Sequence, residues 1–310
     1  MNDYKKEIWA HALKNSIEFG KTDAGKILPK LFAHGLDKKD IKLVMGDVVN
    51  IVKEVNSMKE TQRIEKFKEF ESIIPQKIEQ ERVLPELPEI NDKMVFRLAP
   101  FPSGALHIGN AKTYLLNALY AEKYNAKIIL VMDDTIGSEE KQIMPEAYDL
   151  LKEAFDWLEV KYDKQIVYKS DRLEIYYKYG GELIEKDKAY ICSCKAEILR
   201  KNREEGKECS CRKLGMEEQK KRWAEMFNAK EGSFVMRIKT DMKHPNPAFR
   251  DRVLFKISDR KHPRIGNKYR VWPTLEMSWA IDDHLLGITH ILRGNDLMIE
   301  TDMEKYIWDI

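Results

Sequence analysis

The densest chemistry in this 310-residue chain lies in Ala99-Pro-Phe-Pro-Ser-Gly-Ala-Leu-His-Ile-Gly-Asn110. Gly104 and Gly109 allow a close backbone approach, and a helix opening here would turn its first amides toward a phosphate. His107 adds a donor able to stabilise charge on that phosphate. Pro100, Ser103, Gly104, His107, Gly109 and Asn110 form the candidate phosphate-binding set, with His107, Gly109 and Asn110 as its catalytic members. A lone His-x-Gly would be an ordinary strand-to-helix turn; the full run is more specific.

A second cluster is Cys192-Ser-Cys194 and Cys209-Ser-Cys211, which uses all four cysteines of the chain. Four thiolates in two close pairs suit a tetrahedral structural zinc, with free thiols as the alternative. Four ligands leave no open position for a catalytic ion. His244, His262, His284 and His290 read as structural or RNA-facing.

A third feature is charge. Lys239 to Arg270 holds ten Lys and Arg against three Asp, a formal +7 on a chain of net +2, so the remainder carries −5. A basic stretch on an otherwise acidic chain is the footprint of a nucleic-acid surface, or a solvated face. Arg250, Arg252, Lys268 and Arg270 are its candidate RNA contacts. Tyr176, Tyr177, Tyr179 and Tyr190 would either stack on a splayed RNA end or pack in the core.

These residues need elements to hold them. Met94–Leu98 reads as a short strand, Ala111–Tyr124 as a helix, Lys127–Met132 as a second strand ending in the acidic turn Asp133-Asp134, and Pro145–Leu158 as a helix. Strand, loop, helix, strand at this rhythm predicts an α/β fold with a parallel sheet, whose ligand sits beyond the carboxyl ends of the strands. That puts the Pro100–Asn110 loop and Asp133 at one site. Ile288–Leu292 looks like another buried strand, and Ala280–Asp283 closes an apolar helix or strand. The middle of the chain breaks the rhythm and suggests an insertion into one sheet.

Upstream, Ile41, Val44, Val48, Ile51, Val52 and Val55 recur at helical spacing, so residues 1–84 are expected to form a helical extension. Pro75, Pro85 and Pro88 end it, with a linker over 85–92. The remaining boundaries are 93–170 and 271–310 for the two parts of the α/β domain, and 171–270 for the insertion. The longest apolar run, Ile128–Met132, is five residues, against roughly 18 for a bilayer span. No membrane helix is expected. The absence of a signal-like start predicts a cytoplasmic, reducing setting.

Several of these segments match one family in order. Pro-x-Pro-Ser-Gly-x-Leu-His-Ile-Gly resembles the first signature of class I aminoacyl-tRNA synthetases in their glutamyl/glutaminyl branch. Val131-Met-Asp-Asp-Thr135 resembles that branch's acidic turn. Met236–Ala248, Asn267–Pro273 and Ile281–Gly294 resemble the archaeal glutamyl type. The resemblance covers about 93–310. It implies a Rossmann-like catalytic domain with an inserted tRNA acceptor-end-binding domain. It also implies activation of L-glutamate by ATP with Mg2+, then transfer to the 2′-hydroxyl of the terminal adenosine of tRNA.

Roles follow residue by residue from the resemblance. Arg97 matches the arginine that pairs with the substrate's side-chain carboxylate, Asp133 the acid that holds its ammonium, and Arg293 a second cation favouring glutamate over glutamine. For each arginine, an ion pair is the plainer alternative. Leu275 stands where the family has a Tyr that contacts the amino acid, and Glu276 where it has a neutral residue. The chain stops at Ile310, before the family's second signature, a lysine-rich loop on the ATP phosphates. A fragment or split part is expected, completed by a C-terminal synthetase part from the same gene or a separate chain. The alternative is a non-catalytic or specificity-altered paralogue that binds tRNA or a partner protein.

Overall fold

The computed structural model describes residues 4–74, 83–136 and 142–310. Pro75, expected to help end the helical extension, lies outside them. The chain forms two compact units, Met1–Val83 and Leu84–Ile310.

The first unit is helical: α1 (Lys5–Phe19), α2 (Ala24–Leu31), α3 (Ile41–Ser57) and α4 (Glu60–Phe67). Ile8, Leu13, Ile27, Leu31, Val48, Ile51 and Val55 form its core. Of the stripe on α3, Val48, Ile51 and Val55 are the fully buried members. Arg63 is buried and fastens the ends of α1 and α3, donating to the carbonyls of Gly20, Val55 and Asn56. Each of its three guanidinium nitrogens meets an acceptor, as a buried polar group requires.

The second unit begins with β1 (Val95–Leu98), α5 (Ile108–Lys123), β2 (Lys127–Met132), α6 (Ala147–Trp157) and β3 (Val167–Tyr168). The three strands form a parallel sheet in the order β1-β2-β3, with Val95 opposite Lys127 and Val131 opposite Val167. β2 is apolar on both faces and buried from Ile128 to Met132, as a central parallel strand must be. Tyr120, Leu151 and Phe155 from α5 and α6 complete this core.

There follow α7 (Leu173–Glu185), β4 (Ala189–Cys192), α8 (Ala196–Glu205), α9 (Met216–Met226), β5 (Val235–Ile238), β6 (Val253–Ile257) and β7 (Val271–Pro273). β4 to β7 form an antiparallel sheet in sequence order. Because Val271 pairs with Ile257 and Pro273 with Phe255, the sheet runs past residue 270 to Pro273. The chain ends with α10 (Leu275–Leu285) and α11 (Met298–Asp309), whose Met277, Ile281 and Met303 join Tyr176, Phe255 and Trp272 in a second core.

One expectation needs correction. Ile288–Leu292 is not a buried strand. It runs extended with one bridge, Phe96 to His290, while Thr289 bonds Val95 through both backbone and hydroxyl. Its apolar residues are only half-buried. The stretch after Val83 is not a free tether: Leu84 and Leu87 pack on the parallel-sheet core. Glu86 accepts from Lys123 Nζ and the Tyr124 hydroxyl, which itself accepts from the Leu87 amide. Tyr176 and Tyr190 are completely buried and donate to Asp282 and Asp251, so for these two the core reading holds.

Candidate active site

The signature run forms the loop between β1 and α5. Helix α5 begins at Ile108, three residues earlier than the apolar pattern suggests, with His107 as its N-cap. The Gly109 amide donates to His107 Nδ1 at 3.1 Å, so the neutral ring carries its proton on Nε2, facing away from the helix. A Cβ on Gly109 would stand 2.9 Å from His107 Cε1, so a larger residue there would displace the His107 ring. Asn110 Oδ1 accepts from the His107 amide at 2.9 Å. Asn110 is thus committed to the reciprocal cap that holds His107 in place. Gly104 has φ +152°, in the region only glycine enters easily.

A cleft of about 810 Å3 opens beside this loop. Pro100, Ser103, Gly104, His107 and Asn110 line one side; Asp133 lies at the end of β2; Leu275, Glu276 and Trp279 come from the first turns of α10. The cleft therefore gathers residues 175 positions apart onto the carboxyl edge of the parallel sheet, where such sheets hold ligands. Tyr114 also lines it, and burial together with the Asp133 carboxylate pushes its hydroxyl up to about 12.

Arg97 and Arg293 do not line the cleft. Each grips an internal carboxylate with two donors: Arg97 takes Asp283 through Nε and Nη2, Arg293 takes Glu304 through Nη1 and Nη2. Both guanidinium groups approach the ring of Trp279, at 4.8 and 5.3 Å from its centroid. Lys169 makes a third cation there, at 5.2 Å, and pairs with Asp133. Trp279 thus stands between the cleft and three cations, balanced by Asp133, Asp283 and Glu304. Sequence patterns missed Lys169, Trp279 and Glu304. Nothing local marks a lysine after β3 or a tryptophan on α10, because the Asp133 carboxylate that both meet lies more than 30 residues from either.

The cysteines come together as expected. Cys192 ends β4 with Cys194 just beyond it, Cys209 caps a short 3-10 turn that contains Cys211, and all four sulfurs lie within 4.8 Å of one another. Cys192–Cys209 and Cys194–Cys211 are 3.7 and 3.9 Å apart. A tetrahedron with metal–sulfur bonds of about 2.3 Å has edges of about 3.8 Å. The donor set and spacing therefore fit a zinc ion. A hydrogen bond from Cys192 holds the Cys209 thiol down at about 4. Arg222 Nη1 reaches Cys211 Sγ at 3.6 Å, and the buried Arg237 Nη1 reaches Cys209 Sγ at 4.0 Å, offsetting thiolate charge. Gln219 braces the cluster, accepting from the Ile191 amide and donating to the Cys211 carbonyl.

The basic stretch divides. Arg250 donates to the carbonyls of His244 and Arg203, and Arg252 pairs with Glu276 and Glu300. Arg270 is held by Asp259 and the Ala229 carbonyl. Lys268 is exposed beside Tyr269. His262 is buried against Trp272 and bonds the Asp134 carbonyl, and burial lowers its pKa. It is structural, as is Arg264, which bonds Ser170 and Asp171.

A parallel sheet with a signature loop at its carboxyl edge, interrupted by an antiparallel insertion, is a class I synthetase architecture. Residues 93–310 match the family described as tRNA synthetases class I (E and Q), catalytic domain, and the chain belongs to that family. It is similar to the Glutamate--tRNA ligase of Methanothermobacter marburgensis, 41% identical over 304 residues, covering 97% of this chain and 54% of that protein. The Glutamate--tRNA ligase of Methanocaldococcus jannaschii is 40% identical over 306 residues, covering 98% and 54%. The chain thus spans about half the length of the curated relatives it matches. A crystal structure of a glutamate tRNA ligase from Elizabethkingia meningosepticum in complex with its amino acid shares the fold, with TM-score 0.52 and 23% identity over 70% of this chain and 47% of that one. Among the described residues no helix is long and apolar enough to cross a membrane.

Proposed function

We propose that this chain provides the catalytic domain for ATP-dependent activation of L-glutamate and its transfer to tRNA. The observation that carries the reading is the single cleft shared by the His107 helix start, Asp133 and the first turns of α10. In the first step the α-carboxylate of glutamate attacks the α-phosphorus of ATP, and pyrophosphate leaves with the electron pair of the broken P–O bond. In the second, the 2′-hydroxyl of the terminal adenosine attacks the activated carbonyl and releases AMP, its proton passing to solvent.

The protein's part is to bind, orient and neutralise. At the start of α5, His107 Nε2–H and the Ile108 amide are the donors offered to the phosphates. Asp133 takes the substrate ammonium. Arg97 still has Nη1 without a partner among the described residues, and Arg293 likewise has Nε. Those are the donors left for the substrate's side-chain carboxylate, reached past Trp279. Mg2+ accompanies ATP and neutralises its phosphates. Zinc on Cys192, Cys194, Cys209 and Cys211 would hold the tip of the antiparallel insertion, whose exposed bases, Lys268 among them, face the tRNA acceptor end. The thiolates suit a reducing cytoplasm.

One observation favours a second reading. Both arginines meet internal carboxylates, and Leu275 presents the cleft with an apolar group beside Glu276, whose carboxylate pairs with Arg252. A synthetase relative with altered amino-acid choice, or one that only binds tRNA or a partner protein, would be built this way.

The deciding experiment is ATP–pyrophosphate exchange with tRNA present. The chain is assayed alone, and joined to the remaining half of the Methanocaldococcus jannaschii relative, fused or as a separate chain. Glutamate-dependent exchange by the joined form, lost in Arg97→Ala, supports the reading. Exchange with another amino acid, or none, selects the second.

A further inference from the structure

Asp133 is held from two sides by residues that neither the family match nor the signature motifs single out. The Lys169 ammonium forms an ion pair with its Oδ1 at 3.1 Å, and Trp279 Nε1 donates to its Oδ2 at 3.1 Å. The Thr135 hydroxyl adds a long contact to Oδ1 at 3.4 Å, and the Asp133 amide is anchored on the Pro100 carbonyl. Lys169 is completely buried, and Asp133 is the one carboxylate within 4 Å of its ammonium among the described residues. Its other partner is the Ser278 hydroxyl, at 2.9 Å, which in turn donates to the Thr274 carbonyl at the start of α10.

A buried ammonium is costly and persists only where its partners are fixed. Here the fixed chain runs from the start of α10 through Ser278 and Lys169 to a single carboxylate on the cleft wall. A carboxylate oxygen accepts two hydrogen bonds. Oδ1 faces the Lys169 ammonium and accepts from Thr135, whereas Oδ2 accepts only from Trp279 and keeps one acceptor site.

Resting on the proposed function above, we propose that Lys169, seated by Ser278, is a positioning residue that aims the open acceptor of Asp133 Oδ2 at the α-ammonium of the amino-acid substrate. Lys169 itself does not touch the substrate. Its loss lets Asp133 rotate, and the penalty falls only on ligands that carry the ammonium.

The test compares two ligands by titration calorimetry on the whole chain: glutamyl-sulfamoyl-adenosine, and its des-amino counterpart glutaryl-sulfamoyl-adenosine. Lys169→Met should weaken the first about tenfold, the scale of one charge-assisted hydrogen bond, and leave the second unchanged. Lys169→Gln, which still donates, should recover part of the loss. Should Lys169→Met fail to fold, Ser278→Ala gives the same selective loss on a smaller scale. Equal losses for both ligands, or no loss for either, overturn the proposal while leaving the proposed function standing. If the unsubstituted chain takes neither ligand, the proposed function falls and this inference with it.

Discussion

Arg293 and Glu304 face each other through two parallel hydrogen bonds of 2.8 Å, with the Glu304 side chain 1% exposed. The pair ties the segment after α10 to α11 and sets one of the three cations on Trp279. Removing one member leaves the other buried without a partner. Arg293→Ala should cost about 3 kcal/mol in urea denaturation, and adding Glu304→Leu should recover much of it. A single substitution as stable as the parent would mean that the pair contributes nothing to the fold.

The sulfur cluster makes a compositional prediction. Protein purified without chelator should carry about one zinc per chain, and stripping it should lower the melting temperature. Cys211→Ser should do the same. Zinc-free protein with four freely titrating thiols and an unchanged melting temperature would exclude a metal role.

A pH response is built into the helical unit. His11 and His34 meet Nε2 to Nε2 at 2.9 Å. Burial, the His34 ring and the nearby Lys30 and Lys14 bring the His11 pKa from 6.5 down to about 4. In the unfolded chain His11 takes a proton near 6.5 that the folded unit refuses. Stability contributed here is full above pH 6.5 and declines as pH falls toward 4. Melting at pH 7 and pH 5 should show this loss, and His11→Phe should reduce it. A pH response identical in parent and variant would rule out His11 as its source.

The divided basic stretch separates two kinds of lysine and arginine. Lys268→Glu should weaken tRNA binding, more at low salt than at high, without changing the melting temperature. Arg252→Glu should lower the melting temperature first, because it sets a third carboxylate against Glu276 and Glu300. Salt-independent binding would argue against phosphate contacts, and equal melting temperatures would argue against the internal role of Arg252.

What the sequence revealed divides by range. β1, β2 and the Asp133 turn follow from local patterns, because a central strand announces itself as an unbroken apolar run. The cysteine cluster was legible because both pairs are local and only their meeting is long-range. The Trp279 hub was not. Trp279 and Asp133 are 146 residues apart and Lys169 and Ser278 109 apart, and no periodicity encodes such meetings. Arg97 was picked out by family resemblance, but its partner Asp283, 186 residues on, emerged only from the fold. Ile288–Leu292 misled because an apolar run at a sheet edge resembles one inside it. Prolines after Val83 suggested a tether, yet Leu84 and Leu87 use the extended backbone to lie on a core.

The joining of Val95 to Thr289 has a consequence for timing on the ribosome. These residues are 194 positions apart, and Val95 uses both its amide and its carbonyl on that one partner. At ~5–20 residues per second, about ten to forty seconds separate the emergence of the first strand from that of the segment that closes over its start. The helical unit draws its core from residues before 84 and can complete itself well inside that interval. The parallel sheet draws its core almost wholly from residues 84–168, but the outer edge of β1 stays unpaired until His290 and Thr289 arrive. Nascent chains stalled near codon 250 should therefore be protease-sensitive around the start of β1, near 94–96, and resistant across the first four helices, and a chaperone that shelters an open strand edge would find its substrate in that window.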